Sequence, residues 1–300
     1  MEHKYKLTIA LITMNRAEQL KAAVLSCAES VLPEKTQFVI VDNGSVDNTE
    51  QVVTVLKSEI GYDLVYHKEP VNLGAGLGRN VCFDLSKGEY IFFLDDDAEI
   101  SEACKETFFT QTLSYLDRNP KVASLTTEIV DKVFGDRPVV TSKTVVVDSL
   151  KSAYSFHEGT VFFRRNAFSS PLYMNIMYGS EHLSVSSFAR DRGFYNVFDP
   201  SVYIDHKPMV NKWKNEDKER TNLQCISNIY MIKKVCYPRI CAPILYAAFK
   251  QRLKKNGVSS KELLNEFKLK RKQFYKENRV KRIRISTVVR SYKEFGLTVF

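Results

Sequence analysis

Residues 90–100 read YIFFLDDDAEI, and this stretch decides how the rest of the sequence is interpreted. Five consecutive apolar or aromatic residues end directly at Asp95, Asp96 and Asp97. An unbroken apolar run of this length predicts a strand that is buried on both faces, as in a mostly parallel sheet. Ligands of open α/β sheets bind beyond the carboxyl ends of the strands. The sequence therefore predicts three carboxylates at the ligand-binding edge of a sheet.

Three neighbouring carboxylates repel one another unless water or a cation lies against them. Carboxylate oxygens suit Mg²⁺ or Mn²⁺, the ions that accompany phosphorylated substrates. The alternative is an acidic loop that caps a following helix near Ser101. The position of the acids at the end of a buried strand favours the metal site over this alternative.

The sequence on either side of this stretch divides into two halves. In the N-terminal half, apolar runs alternate with amphipathic stretches, which predicts βαβ units and a parallel sheet. The expected strands and helices of this half are residues 7–13, 17–28, 38–41, 49–60, 64–67, 77–85 and 90–94. In the C-terminal half, strand-like runs follow one another without helices between them, which predicts a mixed or antiparallel arrangement. The elements expected there are a helix at 108–116, strands at 122–129, 139–147, 160–163 and 201–204, and a short helix at 184–192.

Charge is distributed unevenly along the 300 residues. Residues 207–300 carry 24 Lys and Arg against 7 Asp and Glu, while residues 1–206 carry 20 against 28. A hydrophobic content of 44% is enough to fill a core, so we expect an acidic globular body followed by a basic, helical C-terminal extension.

The six cysteines form no CxxC pair, which predicts reduced thiols and argues against a zinc site. The apolar run near the N-terminus is too short for a secretory signal, and no later run is long enough for a membrane span. The expected location is the cytoplasm, with a peripheral position at the inner face of the cell membrane as a further possibility.

The glycine-rich run GAGLG at residues 74–78 does not match a known phosphate-binding loop. A dinucleotide-binding fingerprint would directly follow the first strand, whereas this run lies in the middle of the predicted sheet. The run is interpreted as a turn that presents Arg79 and Asn80 to the cleft, where the Arg79 guanidinium could neutralise a pyrophosphate. The alternative is a surface arginine on a helix.

Four segments, in their order and spacing, resemble family 2 glycosyltransferases of the GT-A fold. They are LITMNR (11–16), IVDNGSVDNT (40–49), NLGAGLGRN (72–80) and FLDDDAEI (93–100). The resemblance runs from about residue 7 to residue 206 and implies an α/β, Rossmann-like mixed sheet flanked by helices. It places Arg79 at the diphosphate of a nucleotide-sugar, and the Asp-x-Asp pair Asp95 and Asp97, with Asp96 between, at the ribose and a metal ion. The residues that it places around the base are Thr13, Asn15, Asp42 and Asn43.

Two later segments also resemble the family. GSEHLSVSSFARDRGF (179–194) is similar to the Glu-Asp motif, in which a carboxylate is the general base of inverting members. Glu181 is the natural candidate, but His182 stands where the family often has Asp, so the choice between Glu181 and His182 stays open. An alternative makes Glu181 a charge at a helix N-terminus. DPSVYIDHKP (199–208) resembles the end of the family core, where His206 would complete the metal shell or, alternatively, act as a polar cap.

The resemblance implies two domains and a function. Residues 1–210 would form the GT-A domain, with a nucleotide-sugar-binding half at 1–100 and an acceptor-binding half at 101–210, and residues 211–300 the basic extension. The implied activity is metal-dependent, inverting transfer of a sugar from a nucleotide-sugar, with UDP-sugar as the expected donor and Mn²⁺ or Mg²⁺ as the cofactor. The implied acceptor is a glycan or lipid-linked hydroxyl in bacterial cell-surface polysaccharide synthesis. The alternative is a non-catalytic nucleotide-sugar or glycan-binding protein on the same scaffold.

The basic extension predicts a partner of its own. Basic clusters at 268–272 and 279–284 are interleaved with the apolar residues Phe267, Phe274, Tyr275, Ile283 and Ile285. This pattern is typical of a helix at an anionic membrane surface, although the apolar residues could instead pack on the body of the protein. No nucleic-acid-binding motif is present, so nucleic acid is not an expected partner.

Overall fold

A mixed sheet of ten strands runs through the described part of the chain. The computed structural model describes residues 3–135, 138–176, 179–208, 215–256, 274–278 and 281–300, and the single positions 261, 268 and 271. The strands are β1 (Tyr5–Thr13), β2 (Thr36–Asp42), β3 (Asp63–Lys68), β4 (Gly88–Asp95), β5 (Ala98–Ile100), β6 (Val122–Asp131), β7 (Thr141–Val147), β8 (Leu150–Ala153), β9 (Thr160–Arg164) and β10 (Tyr195–His206).

Eight helices accompany these strands within the described ranges. They are α1 (Ala17–Ala28), α2 (Thr49–Glu59), α3 (Ala75–Leu85), α4 (Phe108–Arg118), α5 (His182–Asp191), α6 (Asn215–Cys236), α7 (Ala242–Lys255) and α8 (Ile285–Phe295). None of the helices in this part of the chain is long and apolar enough to cross a membrane.

The N-terminal half is the parallel sheet that the sequence predicts. Its strands lie in the order β3-β2-β1-β4, and β1 pairs in parallel with both β2 and β4. The register sets Thr13 opposite Asp42 and Ile12 opposite Asp95, so the carboxyl ends of three strands meet at one edge. The polar segments that follow these strands are brought together for this reason.

The C-terminal half is mixed, also as expected, and its strand order brings a new segment to the same edge. Strand β9 lies between β4 and β6 and is antiparallel to both, so it begins where β4 ends. The backbone N–H of Asp95 donates to the carbonyl of Gly159 over 3.2 Å. Residues just before β9 therefore border the three aspartates, although they are more than sixty positions away in sequence.

Several element boundaries differ from the sequence expectations. The strand expected at 201–204 is longer, because β10 pairs with β6 on one side and with β8 and β5 on the other. Strands β5 and β8, with three and four residues, were not expected. Such short strands carry no apolar periodicity of their own and depend on pairing with β10.

Two large apolar clusters stabilise the fold. The first lies between the sheet and the helices α1, α2 and α4, and in it the rings of Phe92 and Phe162 stack with centroids 4.3 Å apart. The second joins α6, α7 and α8 and includes the stacked rings of Tyr230 and Phe249. The cluster also includes Tyr154, Met174, Ile176 and Leu183, so the described part of the basic extension is a packed helical unit that shares this core with the sheet domain.

A buried ion pair links this helical unit to the sheet domain. Arg190 on α5 lies 2.8 Å from Glu294 on α8, and both side chains are almost fully buried. The Arg190 guanidinium also donates to Ser291 over 3.1 Å and to Ser152 over 3.3 Å. The predicted boundary between residues 210 and 211 falls outside the described residues, so the division into 1–210 and 211–300 stays a prediction.

Candidate active site

A cleft of about 820 Å³ opens beyond the carboxyl ends of β1 and β4. Its walls also include the start of α3, the segment before β9, and the start of α5. Most of the predicted site residues line this cleft. They are Thr13, Asn43, Arg79, Asp95, Asp96, Asp97, Glu181, His182 and His206.

Asn15 and Asp42 do not line this cleft, because their side chains hold the neighbouring loop. Asp42 is fully buried and accepts hydrogen bonds from the Ser45 backbone N–H and the Tyr66 hydroxyl, both over 2.7 Å. Asn15 has a left-handed backbone with φ of 55° and accepts from the Val46 N–H over 2.8 Å. Their contact with a nucleotide base remains a prediction.

Arg16 bridges two of the three aspartates, which the sequence analysis did not anticipate. Its Nη1 donates to Asp96 Oδ1 over 2.9 Å and to Asp97 Oδ2 over 2.7 Å. The Thr13 hydroxyl donates to the other oxygen of Asp96 over 2.7 Å. Burial raises the pKa of Asp96 to about 6, although the charge of Arg16 opposes this shift. The motif LITMNR thus supplies both a hydroxyl and a cation to the acidic cluster.

Asp97 converges with His206 at the opposite end of the cluster. His206 Nε2 lies 3.4 Å from Asp97 Oδ1, and its Nδ1 lies 2.8 Å from Asp131 Oδ2. Although burial acts to raise the pKa of Asp97, the hydrogen bond with His206 and the charge of Arg16 lower it below its usual value. Asp131 orients the imidazole so that Nε2 is directed toward Asp97, as carboxylates commonly do behind metal-binding histidines.

Asp95, which is partly exposed, pairs with the buried Arg79. Arg79 Nη2 donates to Asp95 Oδ1 over 2.8 Å, and the Arg79 side chain is 7% exposed. Gly159 packs against the same carboxylate, because a Cβ at this position would lie only 2.5 Å from Asp95 Oδ2. Arg79 is therefore held beside the aspartates by α3, as the glycine-rich run predicts.

These residues fit a metal that is bound together with a substrate phosphate. Among the described residues, no group of three or more His, Cys, Asp or Glu side chains is arranged to hold a metal ion. Asp95 is hydrogen-bonded to Arg79, so the predicted set of Asp95, Asp97 and His206 is not assembled as a three-ligand cluster. Mg²⁺ in nucleotide sites usually takes one or two protein ligands and completes its shell with phosphate oxygens and water. Asp97 and His206 fit such a two-ligand site.

Glu181 and His182 differ sharply in their access to the cleft. Glu181 is 2% exposed, and its Oε1 accepts from the Gly179 N–H over 2.7 Å. Burial and the neighbouring charge of Glu158 raise the pKa of Glu181, so its protonated form is favoured. The side chain of His182, the first residue of α5, is 25% exposed.

Glu158 is a site residue that the sequence analysis missed. It precedes β9, and its Oε2 lies 3.8 Å from His182 Nδ1 and 3.9 Å from Arg79 Nη1. Burial opposes ionisation, but the charge of Arg79 and the contact with His182 lower the pKa of Glu158. The one available signal was the polar pair Glu158-Gly159 directly before the apolar run at 160–163.

Comparisons with known proteins agree with this architecture. The model of "Glycosyl transferase family 2" matches residues 8–170, which is more than half of the chain. The cholesterol galactosyltransferase of Borreliella burgdorferi is 22% identical over 109 residues, which cover 36% of this chain and 30% of that protein. The succinoglycan biosynthesis protein ExoM of Rhizobium meliloti is 30% identical over 95 residues, which cover 31% of this chain and 30% of that protein. The matched segments thus span only about a third of the relatives' own lengths.

Solved structures show the same fold over a larger part of the chain. S. aureus TarS 1–349 in complex with UDP-GlcNAc has a TM-score of 0.59 and 16% identity, covering 83% of this chain and 72% of that one. GalNAc-T7 with UDP, GalNAc and Mn²⁺ has a TM-score of 0.62 and 13% identity, covering 92% and 59%. These similarities confirm the predicted GT-A fold. Together with the family model, they show that this chain belongs to glycosyl transferase family 2.

Proposed function

We propose that this protein transfers a sugar from a nucleotide-sugar to a hydroxyl group of a glycan or lipid-linked acceptor, with inversion at the anomeric carbon. The observation that carries the proposal is a single cleft that holds a buried arginine, an acidic cluster and an accessible histidine. UDP-sugar is the proposed donor and bacterial surface polysaccharide synthesis the proposed setting. UDP in two neighbouring structures and the relative named for succinoglycan biosynthesis support these assignments.

In the proposed complex, Arg79 contacts the diphosphate, and Thr13, Asn43, Asp95 and Asp96 contact the nucleoside. Asn43 Oδ1 is buried without a hydrogen-bond partner among the described residues, so it is available to an N–H of the base. Asp97 and His206 would hold Mn²⁺ or Mg²⁺. When bound, the metal would neutralise charge on the departing diphosphate.

His182 is the proposed general base. A base has to reach the acceptor hydroxyl and to be free of the proton that it accepts. Both residues line the cleft, but Glu181 is buried, bonded to the Gly179 N–H and favoured in its protonated form, whereas His182 has an accessible side chain. A single displacement with one base inverts the anomeric configuration, and the mechanism needs no second carboxylate as a nucleophile.

The direct test is release of nucleoside diphosphate from a panel of nucleotide-sugars, each measured with Mn²⁺, with Mg²⁺ and with EDTA. We expect release from one class of donor, stimulated by metal and by a matching acceptor, because the proposed site neutralises the leaving diphosphate. Binding of a nucleotide-sugar without release under any condition would favour the alternative, a non-catalytic binding protein. Calorimetry on the same donors distinguishes the two outcomes.

We also propose that the protein acts in the cytoplasm at an anionic membrane surface, where a lipid-linked acceptor would be found. Residues 207–300 carry 24 basic against 7 acidic side chains. Three basic residues of the clusters at 268–272 and 279–284 lie outside the described residues, as does Phe267; they are Lys270, Lys272 and Arg279. Phe274 and Ile283 are buried in the helical core, so they are not available to lipid, whereas Tyr275 and Ile285 are exposed.

The described residues offer a second basic surface for this contact, which we call the α6–α7 corner. A pocket of about 350 Å³ lies there, and none of the described residues that line it is acidic. The basic residues that line it are Lys234, Arg239, Arg271 and Arg282. Ile240, next to Arg239, is 78% exposed. An exposed apolar side chain beside cations is typical of residues at a lipid interface.

Co-sedimentation with vesicles tests this surface. Wild-type protein is expected to bind phosphatidylglycerol vesicles, to bind phosphatidylcholine vesicles less, and to lose binding as salt rises, because screening weakens the attraction. Arg239→Gln is expected to weaken binding about fivefold, since each basic residue near an anionic surface contributes about 1 kcal/mol. Ile240→Ser tests the exposed apolar side chain at the α6–α7 corner. Its control is Val46→Ser, which changes an apolar residue that is 90% exposed in another part of the protein. Equal binding to both lipids, insensitive to salt, would contradict the proposal.

A further inference from the structure

Glu158 stands in the cleft in a position that the function proposed above does not explain. Its Oε2 lies midway between two basic groups, 3.8 Å from His182 Nδ1 and 3.9 Å from Arg79 Nη1. A second carboxyl, that of Glu181, lies within hydrogen-bonding reach of Glu158. Because Glu181 is favoured in its protonated form, it can donate to Glu158, and the contact of Glu158 with His182 is the one that the proposed function leaves unexplained.

We propose that Glu158 is a positioning residue that holds His182 for proton transfer. The inference rests on the proposed function, because it assigns Glu158 to the base of that reaction. A carboxylate beside Nδ1 favours the tautomer with hydrogen on Nδ1, which leaves the lone pair on Nε2 for the acceptor hydroxyl. The separation of 3.8 Å is too long for a hydrogen bond, and it shortens to one if the imidazole moves by less than 1 Å.

The charges around Glu158 are consistent with this role. The groups that face it are Arg79, His182, Glu181, Asp95, Tyr173 and Cys225. Of the two glutamates, Glu181 is the one that burial and its neighbour favour in the protonated form, so the negative charge resides on Glu158. Arg79 already pairs with Asp95 over 2.8 Å, and in the proposed complex it also contacts the diphosphate. Glu158 then faces His182, whose imidazole becomes cationic when it accepts the acceptor's proton.

The proton and bond changes balance in one step. The acceptor oxygen forms a bond with the anomeric carbon as the bond from that carbon to the diphosphate oxygen breaks. The acceptor's proton passes to His182 Nε2, and the positive charge that results on the imidazole lies beside the Glu158 carboxylate. The diphosphate leaves with the electron pair of the broken bond, toward Arg79. Glu158 exchanges no proton and touches neither substrate, which is why it is a positioning residue.

A purely structural role makes a different prediction. If Glu158 only anchors Arg79, its loss would weaken donor binding and raise the KM for the nucleotide-sugar. If Glu158 acts through His182, its loss would lower kcat and leave the donor KM nearly unchanged. The effect would also disappear in a protein that already lacks His182, because residues that act as a unit are not additive.

The experiment compares Glu158→Gln, His182→Ala and the double variant with the wild type in steady-state transfer. Glu158→Gln keeps the size of the side chain and removes its charge. We expect kcat to fall about 10- to 100-fold, a part of the roughly 10²- to 10⁴-fold that a general base contributes. The donor KM should stay within about twofold, and the double variant should be no slower than His182→Ala. Glu102→Gln, which changes an exposed carboxylate paired with Lys105, is the control.

Three results would overturn the inference: an unchanged kcat in Glu158→Gln, a change confined to KM, or losses that multiply in the double variant. Circular dichroism and thermal unfolding of each variant identify any loss of fold, and Glu158→Asp, which keeps the charge, then repeats the comparison. An inactive wild type with every donor would instead contradict the proposed function, and the inference with it. The two failures are therefore distinguishable.

Discussion

Asp97→Asn is expected to lower metal-dependent transfer about 10³-fold or more, because a bound metal contributes several kcal/mol and each 1.36 kcal/mol is a factor of ten. Asp97 Oδ1 converges with His206 Nε2 at 3.4 Å, and these are the proposed metal-binding atoms. An amide keeps the volume of the carboxylate but loses its charge. The affinity for Mn²⁺ should therefore fall together with the rate.

The measurement combines transfer rates with Mn²⁺ binding in the presence of UDP, followed by electron paramagnetic resonance. Glu99→Gln is the matched control, since Glu99 lies two positions away and pairs with Lys207 over 2.6 Å at the surface. We expect the control to keep both Mn²⁺ binding and activity. If Asp97→Asn bound Mn²⁺ as tightly as the wild type, Asp97 would not be a metal ligand.

The N-terminal half of the fold was predictable because its signals are local. Strands β1, β2 and β4 are apolar runs buried on both faces, and they end at polar residues in sequence. Once the strands are parallel and adjacent, their carboxyl ends meet without further information. The contributions of Thr13, Arg79 and the three aspartates to one cleft follow from that arrangement.

The sequence does not predict the contacts between residues that lie far apart along the chain. Glu158 reaches the cleft only because β9 lies antiparallel beside β4, and no local pattern encodes that neighbour. Arg16 is the last residue of the motif LITMNR, but the aspartates to which it donates, Asp96 and Asp97, lie about eighty positions further along the chain. Long-range pairs of this kind are set by topology, which periodicity does not specify.

Asn15 and Asp42 illustrate a different limit. Both occur in motifs typical of the family, and the family resemblance implies that both contact the nucleotide base. In the structure each side chain accepts hydrogen bonds from the loop that joins β2 to α2. Short polar side chains readily bond nearby backbone N–H groups, so a motif position does not distinguish a ligand contact from support of the loop.

The largest effect on the chemical step is expected from His182→Ala, with Glu181→Gln as the comparison. General bases typically contribute about 10²- to 10⁴-fold, so kcat should fall by that range in His182→Ala while donor binding survives. The reason is access: both residues line the cleft, but the His182 side chain is 25% exposed, whereas Glu181 is buried and bonded to the Gly179 N–H.

Glu181→Gln should have a smaller effect on kcat, because Glu181 is favoured in its protonated form and an amide replaces a neutral carboxyl with little change in charge. The measurement is single-turnover transfer with saturating donor, and calorimetry with the nucleotide-sugar reports binding separately. A loss of 10²-fold or more in Glu181→Gln beside a mild effect in His182→Ala would assign the base to Glu181. His182 would then be the first residue of α5 and would have no role in proton transfer.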